Sequence, residues 1–115
     1  MDKIVDLANL KSISLLQEKP DIPKEVLTRF QFQSERLLTE IKSAIDSKDV
    51  ETIFHCCHKL KGSAQTIGAI ALAAECDRLQ VLSEKDNPDF TEVAATHFRA
   101  RDAFGKTRNI LQREI

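Results

Sequence analysis

The stretch Ile53-Phe54-His55-Cys56-Cys57-His58-Lys59-Leu60-Lys61-Gly62-Ser63-Ala64-Gln65-Thr66-Ile67-Gly68 decides what kind of structure this chain forms. Its apolar positions Ile53, Cys57, Leu60, Ala64 and Ile67 recur at steps of four and three, the signature of an amphipathic helix. A half-buried strand would alternate apolar and polar residues, and no alternating run long enough to compete occurs. On a wheel advancing about 100° per residue from His58, the apolar residues Ile53, Leu60, Ala64 and Ile67 cluster near about 210°. His58 therefore points away from the core. Gly62 lies about 40° from it, Gln65 about 20° to the other side, and Lys61 about 60° away on that same side. One exposed strip thus carries an imidazole, a missing side chain and an ammonium.

The same periodicity extends outward in both directions, between three breaks: Glu18-Lys19-Pro20-Asp21-Ile22-Pro23, Asp46-Ser47-Lys48-Asp49 and Asp86-Asn87-Pro88-Asp89. A first, short helix is expected from about Leu7 to Gln17, with Leu7, Leu10, Ile13 and Leu15 or Leu16 on its apolar face. A second starts after Asp21 as N-cap, with Pro23 in its first turn, and carries Leu27, Phe30, Leu37, Ile41, Ala44 and Ile45. The motif segment starts near Asp49. A fourth holds Leu72, Cys76, Leu79 and Leu82. The last starts at Asp89, with Glu92 completing a capping-box variant, and runs through Val93, Ala100, Phe104 and Leu111. Short connections between long amphipathic segments favour antiparallel neighbours. The expected fold is all-α: an antiparallel up-down four-helix bundle with a short additional N-terminal helix, one domain over residues 1–115.

Composition narrows the functions open to such a bundle. At 115 residues the chain buries about 65% of its unfolded surface, enough for a core without metal or disulfide staples. With 42% apolar and 30% charged residues it is neither a disordered tail nor a fibre. Its longest apolar run is far short of the about 20 residues of a membrane helix, and no secretion signal opens it. Net charge is −1 and Trp and Tyr are absent, which argues against nucleic acid as a partner. The odd cysteine count, with Cys56 and Cys57 adjacent to each other and Cys76 apart, is a poor disulfide framework and points to the cytoplasm. Met1 and the ending at Ile115 fit a free-standing chain and equally an excised domain.

Function must therefore come from a local site, and the exposed strip is the place to look. A glycine inside an exposed helix costs about 1 kcal/mol relative to alanine. Gly62 is either a tolerated surface residue or an opening that lets something large approach His58 without meeting a Cβ. Imidazole titrates near neutrality, so its neutral form is a competent nucleophile at cellular pH. The ammonium of Lys61 balances charge on a phosphoryl group held there. Attack by Nε2 requires Nδ1 to keep its proton, which an acceptor on a neighbouring helix would secure. Phe54, about 40° from His58, either packs against an adjacent helix or joins a docking patch around it. Lys59 and Gln65 are rim contacts for a partner.

His58-Lys59-Leu60-Lys61-Gly62-Ser63-Ala64, followed by Ile67-Gly68-Ala69, resembles the signature of histidine-containing phosphotransfer (HPt) domains. That pattern is a histidine, a lysine three on, a glycine four on and a second glycine ten on. His58, Lys61, Gly62 and Gly68 fill it. The resemblance runs through the order of helices and includes Leu72, Cys76 and Leu79. The family often carries a glutamine twenty-two positions after the histidine that hydrogen-bonds it, and that position is Gln80. The resemblance implies a phosphorelay intermediate that takes a phosphoryl group from a receiver-domain aspartate onto His58 and passes it to another receiver. Lys61 then stabilises charge, Gly62 gives clearance and Gln80 orients the ring. It further implies response-regulator receivers and a hybrid sensor kinase as partners, a monomer, no nucleotide site or autokinase activity, no cofactor of its own, and Mg²⁺ on the receiver.

Three other readings compete. His55 and His58, at i and i+3, can face one metal ion, yet Cys56 and Cys57 turn away from them and no further ligand converges, so no metal is expected. A helical adaptor that binds a receiver or sensor kinase without being phosphorylated would have no use for the His58–Lys61 pair. A cysteine nucleophile needs an exposed thiol of low pKa and a positioned base, and Cys56 beside His55 is a weak match. His55 lacks the following Lys-Gly and reads as a solvated residue, and His97 reads as packing or surface. Gly105 is expected to ease a helix contact or fraying near the C-terminus.

Overall fold

The structure, a computed structural model, describes residues 23–114. These residues form four helices, α1 (Lys24–Asp46), α2 (Val50–Ile67), α3 (Ile70–Ser83) and α4 (Phe90–Glu114). They correspond to the second to fifth segments read from the sequence. The expected first helix, Leu7 to Gln17, and the expected cap Asp21 lie outside the described residues. Pro23 itself stands at the N-cap of α1 in an extended conformation, not in the first turn. A proline fixes φ near −65°, which suits the residue entering a helix as well as the first one inside it.

The other boundaries follow from local chemistry. The Asp49 carboxylate accepts from the Thr52 backbone N–H at 3.2 Å and from its hydroxyl at 2.7 Å, capping α2. These hydrogen bonds hold the Asp49 carboxyl below the usual carboxylate range. Asp89 caps α4 by accepting from the N–H groups of Thr91 and Glu92. α1 and α2 both end in the paired backbone bonds of a left-handed terminus. In α1 Lys48 takes the positive φ of 58°, with Asp49 N–H donating to Ala44 and Lys48 N–H to Ile45. In α2 Gly68 takes φ 86°, with Ala69 N–H donating to Ala64. Only Gly68 and Ala69 separate α2 from α3, so the chain must reverse there and the two helices run side by side.

Each helix packs on the next, and α4 returns to α1, closing a bundle around one core. All the apolar positions expected for α1 to α4 are buried, from Leu27, Phe30 and Ile41 through Ile53, Leu60 and Ile67 to Leu79, Phe104 and Leu111. Phe30 of α1 and Phe104 of α4 meet as a tilted pair, centroids 6.3 Å apart. Leu60 and Ile53, fully buried, would each cost about 1.5–3 kcal/mol if returned to water. They fix which face of α2 turns inward, and so which face turns out. α3 breaks the pattern: Gln80 and Ser83 are buried while Val81 is 54% and Ile70 44% exposed. The closing helix continues unbroken past Gly105, and a Cβ at that position would meet nothing within 4 Å. Gly105 therefore relieves no helix contact.

Candidate functional site

The core stripe of α2 leaves His58 exposed at the middle of the opposite face. Gly62, one turn further on, is exposed as well, and a Cβ there would meet nothing within 4 Å. No neighbour in the bundle requires a glycine, so the opening faces outward. Lys59 and Gln65 lie exposed on either side. Phe54 is half-buried, beside the two histidines of its own helix. Its ring lies parallel to that of His58, 4° between planes and 6.2 Å between centroids, and edge-on to His55 at 5.8 Å. His55 is exposed, as expected.

α3 supplies the second wall. Gln80, 6% exposed, reaches across from α3 and sets its side-chain amide nitrogen 3.4 Å from Nδ1 of His58. The other end of that amide, Oε1, is buried without a partner. Oxygen and nitrogen of an amide are nearly isosteric, and a half-turn about the terminal bond exchanges them. With Oε1 toward the ring, Gln80 accepts a hydrogen bond from Nδ1–H. That tautomer leaves the lone pair of Nε2 in solvent, where a nucleophile needs it.

Lys61 is not free beside the histidine. Its Nζ sits 3.0 Å from Oδ1 of Asp77 on α3, and its side chain is only 25% exposed. Asp77 carries no signal in the linear pattern and appears only once α2 and α3 are paired. Next to the ion pair an open cleft of about 520 Å³ runs along both helices, with Gln65, Gly68, Ala73 and Ala74 in its walls and the exposed Ile70 at its edge. Small residues and an apolar side chain beside charged ones make a surface suited to a transient protein partner.

The remaining reactive side chains are turned inward. Cys56, Cys57 and Cys76 are buried and unpaired as disulfides. Burial pushes the Cys76 thiol up to about 12 and the Cys57 thiol further above the ordinary range. Burial and the Glu40 carboxylate, 3.7 Å from its Sγ, raise Cys56. None of the three is a poised thiolate, which removes the cysteine-nucleophile reading. Among the described residues no group of three or more His, Cys, Asp or Glu side chains is arranged to hold a metal ion. His97 is a packing residue, 3% exposed, its Nε2–H donating to the Leu38 carbonyl at 2.8 Å. Among the described residues no helix is long and apolar enough to cross a membrane.

The family model described as Hpt domain matches residues 25–110, which spans all four helices. Two curated proteins are similar to the chain. The phosphorelay intermediate protein YPD1 of Candida albicans (strain SC5314) is 30% identical over 87 residues, 75% of this chain and 47% of that protein. The pseudo histidine-containing phosphotransfer protein 2 of Oryza sativa subsp. japonica is 36% identical over 67 residues, 56% of this chain and 44% of that protein. The chain thus spans less than half the length of either of these relatives. No solved structure gives a significant match.

Proposed function

This chain belongs to the Hpt domain family, and from that premise we propose that it is a phosphorelay carrier with His58 as the phosphoacceptor. The observation that carries the reading is an imidazole in solvent whose Nδ1 is engaged by a buried amide across the helix pair. In the step we infer, Nε2 of His58 attacks the phosphorus of a receiver's aspartyl phosphate. The Nε2–P bond forms, the acyl O–P bond breaks, and the aspartate carboxylate leaves with the electron pair. Nδ1 keeps its proton against Oε1 of Gln80, so the ring bears a positive charge beside the phosphoryl dianion. Transfer to a second receiver runs the same step backwards.

Each side chain of the strip has a part in this. Lys61 offsets charge on the phosphoryl oxygens. The missing Cβ at Gly62 lets a receiver seat its aspartate against the ring. Phe54 fixes one face of the imidazole by parallel stacking, and Lys59 and Gln65 meet the partner's rim. The partners are response-regulator receivers and the receiver of a hybrid sensor kinase, met in the cytoplasm by a monomer without a nucleotide site or autokinase activity. The chain needs no cofactor, and the Mg²⁺ used in transfer is the receiver's. One relative is named a pseudo histidine-containing phosphotransfer protein, which would suit an adaptor that is never phosphorylated. The exposed imidazole of this chain favours the carrier.

The test is incubation of the purified protein with a phosphorylated receiver, alongside His58→Gln. We expect acid-labile label on the wild type and none on the variant. Equal labelling of both would end the proposal.

A further inference from the structure

We propose that Asp77 is a positioning residue that holds the Lys61 ammonium in reserve and yields it to the phosphoryl group when His58 is loaded. The inference rests on the carrier reading given above and adds a residue to it. Two side-chain hydrogen-bond contacts cross the α2–α3 gap: His58 with Gln80, and Lys61 with Asp77. Lys61 lies three residues after His58, and Asp77 three before Gln80, so on antiparallel helices the two pairs are successive rungs of one ladder. The rung that orients the ring and the rung that anchors the cation are three residues apart on each helix, a rise of about 4.5 Å.

Before loading, the ammonium is matched by a single carboxylate at 3.0 Å, and the pair is nearly neutral to an approaching phosphate. After loading, the same ammonium has a phosphoryl dianion within reach, with more charge and three acceptor oxygens. Asp77 is the more solvated member, its side chain 60% exposed, so it returns to water when Lys61 leaves. The contact ties the long lysine side chain to α3, and its exposure keeps it weak enough to be surrendered. Exposed pairs of this kind are worth about 0.2–1 kcal/mol, which converts to a factor of about 1.5 to 5 in rate.

The experiment measures the initial rate at which phosphoramidate, a small phosphoryl donor, labels His58 at about 0.15 M ionic strength, where charges beyond about 8 Å are screened. The proteins are wild type, Asp77→Asn, Asp77→Glu, Lys61→Gln and the double variant Lys61→Gln with Asp77→Asn. We expect Asp77→Asn to label about 1.5- to 5-fold faster than wild type and Asp77→Glu to match wild type. In the Lys61→Gln background the Asp77→Asn change should lose its effect, because Asp77 acts through the ammonium. An unchanged or slower Asp77→Asn rate, or the same acceleration with Lys61 replaced, overturns this inference and leaves the carrier standing. A wild type that takes no label, or His58→Gln labelled as fast, overturns the carrier reading and this one with it.

Discussion

The side-chain amide of Gln80 lies 3.4 Å from Nδ1 of His58, joining two residues 22 positions apart across the α2–α3 gap. Its burial holds the amide in place, and the exposure of the ring leaves Nε2 open. In the proposed carrier, nucleophile and orienter are thus divided between two helices. Removing the orienter should weaken attack without removing the nucleophile. Gln80→Leu is expected to slow phosphoryl labelling of His58 by about two- to tenfold, the worth of one hydrogen bond of about 0.5–1.5 kcal/mol. Gln80→Glu, which keeps an acceptor toward Nδ1–H, is expected to label faster than Gln80→Leu. Leucine and wild type labelling at the same rate would show that the amide has no part in orienting the ring.

In the proposed carrier, Gly62 separates fold from docking. Nothing lies within 4 Å of a Cβ built there, so Gly62→Ala should stabilise the protein by about 0.5–1 kcal/mol through helix propensity. A longer side chain, as in Gly62→Gln, should leave the bundle folded and labelling by a small donor unchanged. Transfer from a receiver should fall at least tenfold, because the partner has to approach over that position. Denaturant midpoints and the two transfer assays read these effects separately. A receiver that loads Gly62→Gln at the wild-type rate would remove the clearance role.

His97 makes stability fall in mild acid. Burial lowers its pKa, only partly opposed by the Leu38 carbonyl that accepts from Nε2–H. The unfolded chain takes up a proton as pH drops through about 6.5, while the folded ring resists it. Its contribution is therefore complete above about pH 6.5 and is lost as pH falls below that, with a slope of at most about 1.4 kcal/mol per unit. Asp49, whose carboxyl is held low by Thr52, acts in a separate and more acidic window, below its ordinary value of 3.8. Urea midpoints at pH 7.5, 6 and 5 should converge in His97→Gln. The same acid dependence in that variant would place the titration elsewhere.

Thiol chemistry should be silent in the folded state. With Cys56, Cys57 and Cys76 buried and their pKa values raised, a disulfide reagent at pH 8 should react with the native protein far more slowly than with protein in urea. One thiol reacting rapidly in the native state would restore the cysteine reading.

The sequence by itself determined the four described helices and the outward face of the site. Periods of three and four in one α2 stripe place Ile53, Leu60 and Ile67 inward, and fixed rotation per residue then carries His58 and Gly62 outward. Asp49 and Asp89 cap their helices through groups only two or three residues away. Residue types also suggested the lysine, and the family pattern suggested Gln80. Only the tertiary structure decided that Gln80 is buried beside an exposed Val81, that Lys61 is tied to Asp77, and that His97 is spent on the Leu38 carbonyl. These partners are 16 to 59 positions apart. Helical rotation fixes the face on which a side chain lies, but the register between two packed helices fixes what it meets. That register is set by the whole core at once, not by the residues around any one position.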